Sequence, residues 1–511
     1  MSWSEGYVTG IGYTYGYYSE LDPRRAQYAL AAAGFAPPPL AAACELGFGQ
    51  GLSLVMHAAA QPGTEFWGTD FNPSQAAFAR GLAGAFGADG RIFDQAFEEF
   101  CARDDLPDFD WIGLHGIWSW ISAANKQRIV DFARRKLRIG GVFYVSYNTL
   151  PGWSSMASVR HLLVRHGARL AAPGASVAAR ADEAINFVAQ LLETNTKFQA
   201  ANPIVAQRFE QMKGMDRAYI AHEYLNRDWT PMYYSDMEDW LEPGKLSYGV
   251  SANLMDAIDV VNFTADQQKL MASIGDPSFR ETMRDMITNQ QFRRDYWVRG
   301  GRRLNPLEHV ELMRSMRFVL RKARASVELK ITGLLGEATL HTEVYEPILD
   351  LMADYKVRTF HEIEQAMVAK GLNYTQIGSA INTLMAQGSF ALAHEEGDVG
   401  KAKKRTDALN TAIMRRARGS NDVNYLASPV IGEGVSVNRI GQLALLALKD
   451  GRKTAKDVAN HVWGVLNAQG QKLVKDGKAL ETPEENLAEL QEQIEVFQRD
   501  NLPILKALQI A

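Results

Sequence analysis

Cysteine is nearly absent: Cys44 and Cys101 are the two in 511 residues. That excludes a disulfide scaffold and a four-cysteine zinc site. It points to a reducing compartment, so a cytoplasmic location is expected. No apolar run reaches the roughly 18 residues of a membrane span. The start, Met1-Ser2-Trp3-Ser4-Glu5-Gly6, lacks a basic stretch followed by an apolar one, so no secretory signal is expected. Strong charge of one sign is also missing. The formal net charge is -4, so bulk attraction to nucleic acid or an anionic membrane is not expected. No His/Cys/Asp cluster has metal-ligand spacing, and a metal-independent reaction is expected. No G-x-S-x-G elbow is present, which argues against a serine hydrolase of that type. What remains is ordinary for a globular protein, 46% hydrophobic and 22% charged, and long enough for two to four domains.

The chain is organised around Cys44-Glu45-Leu46-Gly47-Phe48-Gly49-Gln50-Gly51, which spells E-x-G-x-G-x-G between a short apolar strand and a helix. Glycines at alternate positions let the backbone turn sharply against a ligand. The following helix offers unpaired N–H groups and a partial positive charge. Further strands are expected at 65–70, 91–96, 109–116 and 140–148, with helices at 51–60, 72–85 and 125–137. This alternation predicts βαβ units and a parallel sheet covered on both faces. Ligands of such sheets lie over the carboxyl ends of the strands. Those ends carry Gly47, Gly49 and Gly51, then Asp70, Asp94, His115 and Tyr147-Asn148.

Before the sheet lies an arm rich in tyrosine: Tyr7, Tyr13, Tyr15, Tyr17 and Tyr18, interleaved with glycine. It either packs on the domain or lines a substrate entrance. Residues 155–228 read as a helical insertion, and 246–250 as a late strand of the sheet. The five arginines of 293–303 read as a solvated or acid-paired face rather than an anion site. Residues 340–394 suggest a winged-helix-like unit, 395–405 a charged linker, and 435–511 a loose repeat of the theme. The recognition-helix candidate, 374–387, contains no Lys or Arg, so protein contact is favoured over DNA.

Two cofactors use such a loop followed by an acid that ends the second strand, where it accepts from ribose hydroxyls. Dinucleotides bring a pyrophosphate, which Glu45 would repel; S-adenosylmethionine brings none. E-x-G-x-G-x-G, Asp70 and the strand–helix order resemble class I S-adenosylmethionine-dependent methyltransferases. The stretch Asp110-Trp111-Ile112-Gly113-Leu114-His115-Gly116-Ile117-Trp118-Ser119-Trp120 narrows the resemblance. With 145–153, 222–226 and 292–300 it is similar to bacterial methyltransferases that carry a methyltransferase regulatory domain. Their characterised members include lysine methyltransferases of outer-membrane proteins. The glycine loop departs from the G-C-G-x-G-G-N commoner in that group, which leaves the substrate open.

The resemblance implies an α/β fold: a Rossmann-like methyltransferase sheet with a helical insertion, then mostly α, winged-helix-like C-terminal domains. The expected division is 1–262 for cofactor binding and transfer, 263–400 for a regulatory or middle domain, and 401–511 for a winged-helix-like domain. S-adenosylmethionine is the expected cofactor, held by Glu45, Gly47, Gly49, Gly51, Asp70, Phe71, Asp94, Gln95 and His115. His115, Tyr147 and Tyr17 are the catalytic candidates, with His115 as acceptor-orienting group or base. Tyr13, Tyr15, Trp118 and Trp120 are the substrate candidates, able to offer π faces to a cationic amine. The expected acceptor is a protein lysine; O- or N-methylation of a small molecule or glycan is the alternative. A cofactor-binding scaffold and, more distantly, an NAD-dependent dehydrogenase are the rivals. No nucleic-acid partner is expected, and a homodimer is left open.

Overall fold

The sheet is built from short strands that are buried along most of their length, as parallel strands covered on both faces must be. The computed structural model describes residues 6–8, 12, 14–172 and 174–511. Its strands are β1 (Ala42–Leu46), β2 (Glu65–Thr69), β3 (Ile92–Phe93), β4 (Phe109–Leu114), β5 (Leu137–Asn148), β6 (Leu246–Ser251) and β7 (Phe292–Arg299). Their order is β3-β2-β1-β4-β5-β7-β6. β1 to β5 run parallel, and β7 runs antiparallel to both β5 and β6. The strand order reverses between β1 and β4, so the ligand crevice is set over the ends of those two strands.

Local signals start the helices. Asp22 caps α1 (Pro23–Ala32) by accepting from the Arg24 N–H, with Pro23 at the first position. α2 is Leu52–Ala60. Asn72 caps α3 (Pro73–Gly84) in the same way. α4 is Phe97–Cys101, and Ser122 caps α5 (Ala123–Lys136). Between β5 and β6 run α6 (Leu150–Arg169), α7 (Val177–Glu193), α8 (Lys197–Ala201), α9 (Ile204–Lys213) and α10 (Arg217–Tyr224). They share an apolar core of their own that includes Trp153, Met156, Val188, Phe209 and Ile220. Among the described residues no helix is long and apolar enough to cross a membrane.

Two expected boundaries do not match the chain. Residues 292–299 were expected in a separate middle domain, yet β7 enters the first sheet between β5 and β6. Its arginines hid the strand from a reading by hydropathy. Arg293 is 5% exposed and paired three ways. Its guanidinium donates to Asp295 Oδ2 (2.8 Å), Asp285 Oδ1 (2.7 Å) and Glu281 Oε2 (2.8 Å), and lies 4.8 Å from the centre of the Tyr234 ring. The second boundary, at 400, falls inside a helix that runs Glu396–Arg416. The expected charged linker, 395–405, opens that helix. Its acids Glu396 and Asp398 sit in the first turn and Arg415 and Arg416 in the last, complementing the helix dipole. Val399, Ala402, Leu409 and Ile413 form its buried stripe. An antiparallel sheet of Arg358–Thr359, Arg317–Leu320 and Phe390–Leu392 joins the helices before it.

Candidate active site

The turn after β1 makes the floor of the site. Gly47 has φ +68°, and a Cβ there would stand 2.0 Å from Ile117 Cδ1. Gly51 starts α2 at φ +70°, where a Cβ would press on Ala79 at 2.7 Å. Neither position accepts a side chain without displacing its neighbour. The turn is tied to the end of β2: Gly47 N–H donates to Thr69 O at 2.7 Å, and Gly49 N–H donates to Asp70 Oδ2 at 2.9 Å. Asp70 also accepts from Asn72 N–H at 2.9 Å. Burial pushes its carboxyl up to about 6, against the pull of those two N–H groups.

Glu45 is the penultimate residue of β1 and is 4% exposed. Its carboxylate accepts no hydrogen bond among the described residues. Burial, and then the negative charge of Asp70, push it up to about 8. A carboxylate in that state is ready to ionise for a cation and for little else.

These groups open into a cavity over the ends of β1 and β4. Glu45, Gly47, Gly49, Asp70, Phe71, Gln95, His115 and Trp120, all expected at the site, line it. So do Tyr7 and Tyr18 of the tyrosine-rich arm, and Gly16, Phe48, Phe97, Ile117, Asn125 and Asp228, which were not among the candidates. Gln95 is held by its N–H on Thr69 Oγ1 (3.2 Å) and by its carbonyl, which accepts from the same hydroxyl at 2.5 Å.

His115 follows β4. Its Nδ1 is 2.7 Å from the Tyr144 hydroxyl, and its ring stacks on Tyr18 with centroids 4.0 Å apart. Burial lowers its pKa to about 4, with the Glu20 carboxylate pulling the other way. At neutral pH the ring is uncharged. The next residue is fixed as well, since Gly116 N–H donates to Ser146 Oγ at 2.7 Å.

Several expected site residues lie elsewhere. Tyr147 is fully buried, and its hydroxyl donates to Asp295 Oδ2 at 3.0 Å. Successive side chains of a strand face opposite ways, so Tyr147 joins the Arg293 cluster, while Tyr144 reaches His115. Trp118 is buried beside Trp240, edge to face at 6.1 Å, and not at the cavity. Tyr17 contacts His57, and Tyr15 contacts Phe78; neither lines the cavity. Asp94 is exposed and lies outside the wall, where its neighbours Gln95, Ala96 and Phe97 stand instead. Gly51 serves the turn without lining the cavity. Tyr13 lies outside the described residues. A signal for Tyr18 was present: in extended backbone an arm reading Tyr15-Gly16-Tyr17-Tyr18 must send alternate residues to opposite sides.

The insertion reaches the cavity through Asp228, with Glu223 outside the lining. Glu223, on α10, accepts from Asn148 Nδ2 at 3.2 Å, and its carbonyl accepts from Trp120 Nε1 at 3.2 Å. Its charge acts on Tyr7, whose ring lies 5.5 Å from His222. Burial pushes Glu223 up to about 7.

Comparisons with known proteins agree with this architecture. Residues 216–299 match the family described as a predicted methyltransferase regulatory domain. An uncharacterized protein of Synechocystis sp. is 39% identical over 515 residues, covering 100% of both chains. Another, from Rickettsia prowazekii, is 23% identical over 88% of this chain and 83% of its own. The solved structure of PKMT2 from Rickettsia typhi in complex with AdoHcy superposes with a TM-score of 0.70 at 16% identity, covering 98% of this chain and 99% of that one. The likeness is therefore one of fold across the whole length. The chain belongs to one family with the Synechocystis protein, carries a predicted methyltransferase regulatory domain at 216–299, and has the fold of PKMT2 along its length.

Proposed function

We propose that this protein transfers a methyl group from S-adenosylmethionine to the side-chain amine of lysine in a protein substrate. The observation that carries the cofactor reading is the buried, unpartnered carboxylate of Glu45 beside the glycine turn. It calls for a cation, and the α-ammonium of the cofactor's amino-acid moiety is one. The residues fit the group. Glu45 would hold the ammonium, Asp70 the ribose hydroxyls, and Gln95 with Phe97 the adenine side. When bound, S-adenosylmethionine supplies an electrophilic methyl on a sulfonium.

The chain's own residues then have three tasks. Phe48, Phe97 and Ile117 exclude water from the cavity. His115 orients the acceptor nitrogen. A ring that titrates near 4 is poorly matched as a base to lysine, whose reference pKa is about 10.4. Being neutral, it does not repel an incoming ammonium. For the lysine proton we assign Glu223, which stands outside the cavity lining but close enough to the lining residue Tyr7 for its charge to act there. The lysine reading is supported by the motif resemblance to protein lysine methyltransferases and by the full-length likeness to PKMT2.

Radiolabelled S-adenosylmethionine, offered with separate protein and small-molecule fractions, is expected to label protein on lysine. Label found only in non-protein material would sink the lysine reading in favour of a small molecule or glycan. Asp70→Ala is expected to weaken S-adenosylhomocysteine binding at least about tenfold in calorimetry, since a charge-assisted hydrogen bond contributes about 1.5–3 kcal/mol. Unchanged affinity would mean the cofactor site is misplaced.

A further inference from the structure

The arm of residues 14–22 runs between the cavity and the C-terminal part of the chain. Tyr18 has extended backbone, with φ −118° and ψ 108°. Gly16 and Tyr18 line the cavity. The Tyr18 ring folds back so closely that a Cβ on Gly16 would stand 2.6 Å from its hydroxyl. Tyr18 N–H donates to Ser53 Oγ at 2.8 Å, and its ring covers His115.

Tyr15 and Tyr17 take the opposite side. Tyr15 meets Phe78 edge to face at 4.9 Å, and the Arg416 guanidinium lies 5.0 Å from the centre of the same Phe78 ring. The Tyr17 hydroxyl is 2.9 Å from His57 Nε2, and its ring is 5.4 Å from that of Tyr425. The edge of Tyr17 rests on Gly434, where a Cβ would come within 2.9 Å of two ring carbons. Polar groups close the same seam. Gln61 Nε2 donates to Asp22 Oδ1 at 2.7 Å and to Gly432 O at 3.3 Å. Arg24 Nη2 donates to Ala393 O at 2.9 Å. Arg416, Tyr425 and Gly434 thus grip one side of a strip whose other side is cavity wall.

We propose that residues 416–434 clamp the active-site arm, and that Tyr17 is a positioning residue that acts through Tyr18. By holding the outer side of the arm, the clamp sets the Tyr18 ring over His115 and completes the wall of the cavity. The ligand in this inference rests on the methyltransferase reading above; the clamp itself is a property of the apo chain. It gives the C-terminal region a task in the site: the arm has no sheet partner among the described residues.

A mutant cycle separates this from plain packing. Wild type, Tyr17→Ala, Tyr18→Ala and the double variant are compared for S-adenosylhomocysteine affinity by calorimetry. Each single change is expected to weaken binding about tenfold, and the double change no more than Tyr18→Ala alone, because Tyr17 then has nothing left to position. Losses that multiply to about a hundredfold, or a Tyr17→Ala affinity equal to wild type, overturn the proposal. Gly434→Val keeps both tyrosines and pushes on Tyr17 from the clamp side. It also presses on Met56, whose Sδ would stand 2.7 Å from the new Cβ, and Met56→Ala beside it relieves that contact alone. Gly434→Val, with or without Met56→Ala, is expected to raise amide hydrogen exchange in residues 14–22 of the ligand-free protein at least about tenfold; unchanged exchange there overturns the clamp. A wild type that binds no S-adenosylhomocysteine refutes the cofactor reading instead, and the exchange comparison alone then decides the clamp.

Discussion

Glu45→Gln is expected to weaken S-adenosylhomocysteine binding about a hundredfold and, in the same variant, to make the ligand-free protein more stable at and above neutral pH. The first effect follows from removing the carboxylate that pairs with the ligand ammonium; losing one partner of a buried charged pair costs about 2–5 kcal/mol. The second follows from burial. The Glu45 carboxyl titrates near 4.5, the ordinary glutamate value, when unfolded and near 8 when folded. An acid whose folded value is raised contributes most below its unfolded value, and that contribution drains away as pH rises through the folded one. From pH 4.5 to 8 the folded wild type should lose on the order of 4 kcal/mol that the glutamine variant keeps. Urea unfolding of both proteins at pH 5, 7 and 9 measures the difference: small at 5, growing by 7, largest at 9. A difference that does not change with pH would show that Glu45 is not held protonated. Ligand binding adds a third readout. At pH 7 the ligand ammonium must draw the proton off Glu45, so binding releases close to one proton, visible by calorimetry in buffers of different ionisation enthalpy.

Arg293→Met carries the largest expected loss of stability, about 3–5 kcal/mol. Arg293, Asp285 and Asp295 are 5%, 3% and 1% exposed, so removing the guanidinium strands two buried carboxylates. Asp285 is already pushed up to about 6 by burial despite Arg293 beside it. Arg293→Lys should cost less than methionine yet more than a surface change, because one ammonium cannot serve three carboxylates in a fork. Chemical denaturation ranks the variants. A methionine variant as stable as wild type would show that the cluster is solvated in solution.

The cofactor loop was legible in the sequence because its chemistry is local. Gly47 and Gly51 are forced by a turn a few residues long, and Glu45 and Asp70 each sit one step from a strand end. Helix starts at Asp22 and Asn72 were equally local, since a cap bonds within its own first turn; the helix expected from 125 begins earlier, behind its cap Ser122. The strand β7 was not legible. Its arginines read as a solvated or acid-paired face; the acid pairing is there, but Arg293 makes it with Glu281, Asp285 and Asp295 in the core. Tyr147 was misread for the same reason: its position at a strand end was visible, and its facing was not.

The sequence by itself therefore determined the fold class, the methyl-donor loop and the acid that follows it, all set by contacts within one βα unit. Tertiary structure decided the chemical state of those groups and the enclosure of the cavity. His115 is neutral because Tyr18 and Tyr144 bury it, and Glu45 holds a proton because burial, and then the charge of Asp70, push it up. Tyr18 stands where it does alongside a Tyr17 held by residues some 400 positions away in the chain. Burial and charge are sums over neighbours in space, and no local pattern of residues encodes that sum.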